Sequence, residues 1–388
     1  MKKFVLIVIM MVMLVGCTSS KKEEDFIDKK INEMTLDEKI GQMMIIFYRN
    51  GDMDSTLKSS LNTVKPGGFI LFNENITTYE KTLKLVKDIK ATSKIPMFIS
   101  IDQEGGRVQR LSMLSEASNI PYMYYVGKMN DEKLSEDVGK VVGEELRVIG
   151  VNMDFAPVLD IYENKENTVI GKRSFGESKE IVSKQALAFS KGLESTGVIP
   201  VYKHFPGHGN TKEDSHYELP VVSKTKEELL NDDLVPFKEA IKNDAKVIMI
   251  GHLAVPEITH DNTPASLSRE LITDLLKKEL GYNGLVITDA LNMGALTKNY
   301  NQDEIYVKAI NAGVDILLMP PGSVKALESI RKSVNDGLIS EDTINKSVKK
   351  ILKLKYDMIE KDYDKYLDKS YLNSDSHKEV LSKIKVSD

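Results

Sequence analysis

The sequence predicts an α/β fold, a TIM-like (β/α)8 barrel built as a single domain. Three observations predict it. Eight short apolar runs recur along the chain, they are continuous rather than alternating, and helical patterns fill the intervals between them. Continuous runs are what strands buried on both faces require, because crossover helices cover both sides of a parallel sheet. After residue 26 there is no Pro/Ser/Gly-rich linker, low-complexity run or shift in composition. An open doubly wound sheet is the competing architecture, but no GxGxxG or P-loop follows the first run.

The elements follow in order. Thr35-Leu36-Asp37-Glu38 is a capping box that starts an early helix. The strand-like runs are Met43–Phe47, Phe69–Phe72, Met97–Ile101, Val151–Phe155, Ile199–Tyr202, Val247–Ile250, Leu285–Ile287 and Ile316–Met319. Leu134, Val138, Val141 and Leu146 recur at helical spacing, as do Val182, Ala186, Phe189 and Leu193. Barrels of this kind place their chemistry at the C-terminal ends of the strands. Around those ends stand Asn73, Asp102, Asp154, Lys203 with His204, His252, Asp289 and Pro320. So many polar and ionisable groups on one rim exceed what folding requires. Asp154 alone fits a satisfied structural carboxylate.

The chain opens with Met1-Lys2-Lys3, runs without charge from Phe4 to Val15, and reaches Gly16-Cys17. A basic start and an apolar core too short to span a bilayer make a secretory signal. Leu14-Val15-Gly16-Cys17 resembles the bacterial lipobox, which implies cleavage that leaves a lipid-modified Cys17 at the new N-terminus. Cys17 is the only cysteine, so lipidation accounts for its solitude and no disulfide supports the core. The expected organisation is a signal peptide over 1–16, a polar tether with lipidated Cys17 over 17–25, the barrel over 26–365 and a C-terminal tail over 366–388. The expected location is the outer face of the cytoplasmic membrane, as a lipid-anchored exported lipoprotein. A formal net charge of −5 and the lack of a basic stripe argue against a nucleic-acid partner. The chain is expected to be a monomer.

Residues 201–220, VYKHFPGHGNTKEDSHYELP, carry three of the six histidines. Three kinds of site could use them. A metal centre could draw on His204, His208, Asp214 and His216, but no HExxH or similar fixed pair is present, so neither a metal nor a cofactor is expected. A serine hydrolase would need a GxSxG elbow, and Ser215 has no strand-to-helix turn around it. Glycoside hydrolysis needs a carboxylate on one face of the sugar and a proton donor on the other. Asp289 fits the carboxylate, because it follows Leu285 to Thr288 and precedes the turn Ala290 to Gly294. Asp214 and His216, one residue apart, fit a proton-handling pair in which the carboxylate fixes the imidazole tautomer and raises its basicity. Asp-x-His by itself also occurs as an ordinary surface pair.

Four segments together resemble glycoside hydrolase family 3, in particular its bacterial β-N-acetylglucosaminidases. They are Asp102 to Arg110 (DQEGGRVQR), Gly171 to Gly176 (GKRSFG), Lys203 to Gly209 (KHFPGHG) with Asp214-Ser215-His216 and Leu219-Pro220, and Ile287 to Gly294 (ITDALNMG). They stand in the family's order between about residue 35 and residue 320. The resemblance implies that Asp289 is the nucleophile that forms a covalent glycosyl-enzyme. It implies that His216, oriented by Asp214, is the general acid and then the base. Such a dyad sets less negative charge beside the sugar than a second carboxylate would. Asp102, Arg110, Arg173, Lys203 and His204 would hold the hydroxyls and N-acetyl group. His208 and the glycines would shape the loop, and Glu104 would be a salt-bridge partner.

Two departures stand out. Asn210 occupies a place where the family often has Asp, and Asp160 to Thr168 differs from the usual Asn/Pro-rich run. Relatives with a second α/β domain would need roughly another 200 residues, so a one-domain member is expected. The implied activity is that of a retaining exo-β-N-acetylglucosaminidase acting on peptidoglycan fragments or other glycosides with a terminal N-acetylglucosamine. A glycoside phosphorylase, a β-glucosidase of the same family and a non-catalytic wall-glycan-binding lipoprotein stand as alternatives.

Overall fold

The computed structural model describes residues 24–211, 214–215 and 217–386. The expected signal segment, Cys17 and His216 lie outside the described residues. Eight strands form one sheet: β1 (Met44–Ile46), β2 (Gly68–Leu71), β3 (Phe98–Ile101), β4 (Met153–Asp154), β5 (Ile199–Phe205), β6 (Val247–Ile250), β7 (Leu285–Thr288) and β8 (Leu317–Leu318). Each pairs in parallel with its neighbour in sequence from β1 to β7, and β8 returns to β1 with Met44 opposite Leu317. A parallel bridge between Ile287 and Ile316 joins β7 to the residue before β8, so the sheet closes into a barrel. Closure removes both sheet edges, and every residue of the eight strands is buried. That burial on both faces is why the runs are continuous rather than alternating.

All eight apolar runs form strands. The boundary difference that bears on the site is at β5, which extends three residues beyond Tyr202, so Lys203 and His204 lie inside the strand instead of just past it. The expected capping box is formed, since Thr35 Oγ1 accepts the Glu38 amide at 3.3 Å and Glu38 Oε2 accepts the Thr35 amide at 2.9 Å. The two apolar helical patterns become the helices Glu132–Val148 and Lys179–Ser195, capped by Asp131 and Ser178. These helices meet backbone to backbone. A Cβ at Gly139 would stand 2.0 Å from the Phe189 carbonyl oxygen, and one at Gly192 would stand 2.0 Å from that of Glu136. Only glycine permits this approach.

Residues 366–386 pack on the barrel. The helix Asp375–Ser382 buries His377, which meets Glu144 Oε2 at 2.9 Å and Glu145 Oε1 at 3.2 Å on the helix Glu132–Val148. Glu145 also accepts the Asn373 amide at 2.8 Å and the Ser118 hydroxyl at 2.6 Å. Among the described residues no helix is long and apolar enough to cross a membrane.

Candidate active site

A cavity of 570 Å³ opens where the strands end. Ile70 of β2, Phe155 after β4, Met249 of β6 and Leu318 of β8 give it an apolar lining. Three sets of polar groups are mounted on that base.

The first set comes from the end of β3. The chain turns sharply there, with Gly105 at φ 98° and Gly106 at φ 58°, a conformation other residues rarely adopt. The turn folds Gln103–Gly105 against Val108–Gln109 and brings Asp102, Glu104 and Arg110 to one wall. Lys203 of β5 donates to Asp102 Oδ1 at 2.8 Å and reaches Glu104 Oε1 at 2.5 Å. Arg173 grips Glu104 through Nε and Nη2, both at 2.7 Å, a bidentate fork. Burial works to raise the Glu104 pKa, but the adjacent Arg173 and Lys203 charges outweigh it and hold the carboxyl well below its usual range. Burial likewise works against the charge on Lys203, and Asp102 and Glu104 more than compensate, so its pKa is raised. Arg110 lies over the Phe72 ring at 5.1 Å from its centroid and faces Asp102 at 3.6 Å.

Behind this network lies Asp154, fully buried. Its Oδ1 accepts the Gln103 amide at 2.9 Å, while Oδ2 has no partner among the described residues. Burial pushes its pKa up to about 8, so it is protonated at neutral pH. It does not line the cavity, in keeping with a structural role, but it is a protonated acid with only one oxygen bonded rather than the satisfied carboxylate expected.

The second set is built around the end of β5. Asp160 Oδ2 lies 2.7 Å from Nδ1 of His204, and its Oδ1 accepts the His208 amide at 2.6 Å. His208 Nδ1 lies 2.6 Å from the Thr211 hydroxyl, and Nε2 lies 3.4 Å from that of Ser215. Burial lowers the His208 pKa to about 4, so this ring is neutral. The loop it braces carries Asp214 and Ser215 to the cavity wall.

The third set is Asp289, immediately after β7. Its amide donates to the Ile250 carbonyl at 2.9 Å, and its Oδ1 accepts the following amide, Ala290, at 2.7 Å. Burial works to raise its pKa, yet His204 and His252 nearby prevail and the pKa is lowered. Asp289 is therefore a carboxylate at neutral pH. His252, fully buried, pairs through Nδ1 with the Ser266 hydroxyl at 2.8 Å and through Nε2 with the Ala290 carbonyl at 3.0 Å.

Seven residues singled out from the sequence, Asp102, Arg110, Arg173, Lys203, His204, Asp214 and Asp289, line this one cavity. His216 lies outside the described residues. Among the described residues no three His, Cys, Asp or Glu side chains are grouped to hold a metal ion. Sequence reasoning missed Asp160. The signal was there: Asp160 follows Ala156-Pro157-Val158-Leu159, a further apolar stretch directly after β4.

Residues 35–354 match the glycosyl hydrolase family 3 N-terminal domain. The chain belongs to glycosyl hydrolase family 3. The four motif segments of the sequence all fall inside the matched range. Among the family's curated proteins, Beta-hexosaminidase A of Pseudoalteromonas piscicida is 30% identical over 90% of this chain. The chain spans 66% of that protein's length. Beta-hexosaminidase LpqI of Mycobacterium tuberculosis is 30% identical, with 82% of each chain covered. Among solved structures, a family 3 β-N-acetylglucosaminidase from Paenibacillus sp. str. FPU-7 superposes with a TM-score of 0.85 at 34% identity, over 90% of this chain and 68% of the other.

Proposed function

We propose that this family 3 chain is a retaining exo-β-N-acetylglucosaminidase that removes terminal N-acetylglucosamine from peptidoglycan-derived fragments. The observation that carries the reading is the placement of ionised Asp289 and of Asp214 on one cavity with the ion-paired Asp102, Lys203 and Arg173. Asp289 attacks the anomeric carbon and forms a covalent glycosyl-enzyme. His216, held by Asp214, gives its proton to the leaving oxygen, then takes one from the water that releases the sugar. Lys203, Arg173, Asp102, Arg110 and His204 hold the hydroxyls and the N-acetyl group. A cavity of 570 Å³ lies in the size range of small-molecule sites. The relatives' names, beta-hexosaminidase and β-N-acetylglucosaminidase, support the choice of sugar.

The test uses residues 18–388 with aryl β-N-acetylglucosaminide and aryl β-glucoside side by side, with and without phosphate. Strong preference for the N-acetyl substrate and a free sugar product are expected. Sugar 1-phosphate would replace hydrolysis with phosphorolysis, and preference for the glucoside would overturn the substrate. Asp289→Ala should lower kcat by several orders of magnitude while leaving ligand binding in place. A loss below about tenfold would remove Asp289 from the nucleophile role.

The lipobox-like Leu14 to Cys17 supports the further proposal that the protein is anchored by lipid at the outer face of the cytoplasmic membrane. Labelled fatty acid should enter the wild-type protein and not Cys17→Ala. Equal labelling of both, or protein free in the cytosol, would refute the anchor.

A further inference from the structure

Asp160 is 1% exposed and sits where the chain beyond β4 pairs again with β5, through the Val158–Lys203 bridge and the Leu159 amide donating to the Lys203 carbonyl at 2.6 Å. Its two oxygens have separate duties. Oδ2 meets only His204 Nδ1 at 2.7 Å, whereas Oδ1 accepts two backbone amides, His204 at 3.3 Å and His208 at 2.6 Å. Burial works against its charge, but the His204 ring outweighs burial and the carboxyl stays below its usual pKa. An ionised carboxylate only accepts hydrogen bonds. Nδ1 of His204 therefore carries the hydrogen, and Nε2 is the ring nitrogen left for a ligand in the cavity that His204 lines with Asp289.

We propose that Asp160 is a positioning residue for the glycosidase site: it fixes the His204 tautomer that meets the sugar and, through the same carboxylate, pins the amide of His208 where the loop bearing Asp214 departs. The inference rests on the glycosidase reading above. One buried carboxylate thus sets both the hydroxyl-holding ring and the start of the proton-handling loop. With the hydrogen on Nδ1, the bare Nε2 of the neutral ring accepts from a sugar hydroxyl.

The wild-type protein offers the first test. With histidine labelled by 15N and the His204 signals assigned by their loss in His204→Asn, the neutral ring should show hydrogen on Nδ1 and a bare Nε2. Hydrogen on Nε2 in the wild type would overturn the proposal without recourse to a variant. In Asp160→Asn, the two amides claim the carboxamide oxygen, so the NH2 group faces Nδ1 of His204. Two donors cannot pair, and the hydrogen should move from Nδ1 to Nε2. Turnover of aryl β-N-acetylglucosaminide should fall about 10–100-fold in kcat/KM. Asp160→Ala should lose as much activity and also lower the melting midpoint, because the His208 amide loses its acceptor. An Asn variant with unchanged 15N signals, or with kcat/KM within about threefold of wild type, would refute the positioning role. The 15N spectrum needs no substrate. A wild type that turns over no aryl glycoside would therefore defeat the proposed function, while the tautomer would still be decided on its own.

Discussion

Glu104→Gln removes one negative charge from the most heavily paired point of the cavity wall and leaves the shape almost unchanged. Glu104 is 1% exposed and receives Arg173 through two bonds of 2.7 Å and Lys203 at 2.5 Å. The two cations are themselves 10% and 3% exposed, so neither can turn to water for compensation. The carboxamide keeps one acceptor oxygen but turns a second donor toward a cation. Removing one partner of a buried ion pair costs about 3–5 kcal/mol. In a barrel of this size, with an unfolding entropy of about 0.7 kcal/mol/K, that corresponds to a fall of roughly 4–7 °C in melting midpoint. The pH dependence has a definite sign. The folded pKa of Glu104 is depressed by Arg173 and Lys203 against the pull of burial. Its contribution is therefore complete above the unfolded value of about 4.3 and is lost as pH falls toward the folded one. Urea denaturation of the two proteins from pH 7 down to pH 3 should give a stability gap that is constant above about pH 5 and narrows below it. A gap under about 1 kcal/mol at pH 7, or one that does not narrow in acid, would refute the electrostatic account. Because Arg173 and Lys203 lose their brace, kcat/KM should fall as well, with KM rising.

Two other perturbations test separate parts of the fold. Asp154 has the opposite sign to Glu104: burial raises its folded pKa to about 8, so its contribution is complete below 3.8 and is lost as pH rises through 8. Asp154→Asn keeps an acceptor for the Gln103 amide and should be stabilised relative to wild type by up to about 4 kcal/mol at pH 7, with little difference at pH 3.5. A gap that shrinks with rising pH in thermal melts would contradict this. Gly139→Ala drives a Cβ to 2.0 Å from the Phe189 carbonyl, and should force the helices Glu132–Val148 and Lys179–Ser195 apart at a cost of about 1–3 kcal/mol. An unchanged denaturation midpoint would show that the helices have room.

The barrel was legible because each strand is a continuous apolar run between helical patterns, and that signal is local. The site was legible where its residues stand at strand ends, as Asp102 and Asp289 do. Long-range geometry was not. Glu104 was expected to be a salt-bridge partner, but its cations, Arg173 and Lys203, stand 69 and 99 residues away and only folding brings them onto it. Lys203 and His204 looked like loop residues because the apolar run stops at Tyr202, yet β5 continues through them, with polar side chains stabilised by Asp102, Glu104 and Asp160 rather than by apolar burial. Asp160 was hidden because β4 is two residues long and the second contact with β5 is an isolated bridge. The segment after residue 365 read as a tail because nothing local marks the carboxylates that His377 meets; they lie on a helix more than half the chain earlier.

That anchor changes where the smallest working piece of this enzyme ends. Glu145 is buried, and its polar contacts are shared between Ser118, on the stretch that leaves the Arg110 wall, and Asn373 with His377 from the segment 366–386. A protein cut at residue 365 would keep every strand and every cavity residue, yet strand a carboxylate in the interior behind the Arg110 segment. Such a fragment should melt earlier and bind sugar more weakly than one ending at residue 386, although nothing removed touches the cavity. The helix Asp375–Ser382 acts as the clasp of the hoop: the barrel closes by strand pairing, and this helix ties the helix Glu132–Val148 outside it through His377.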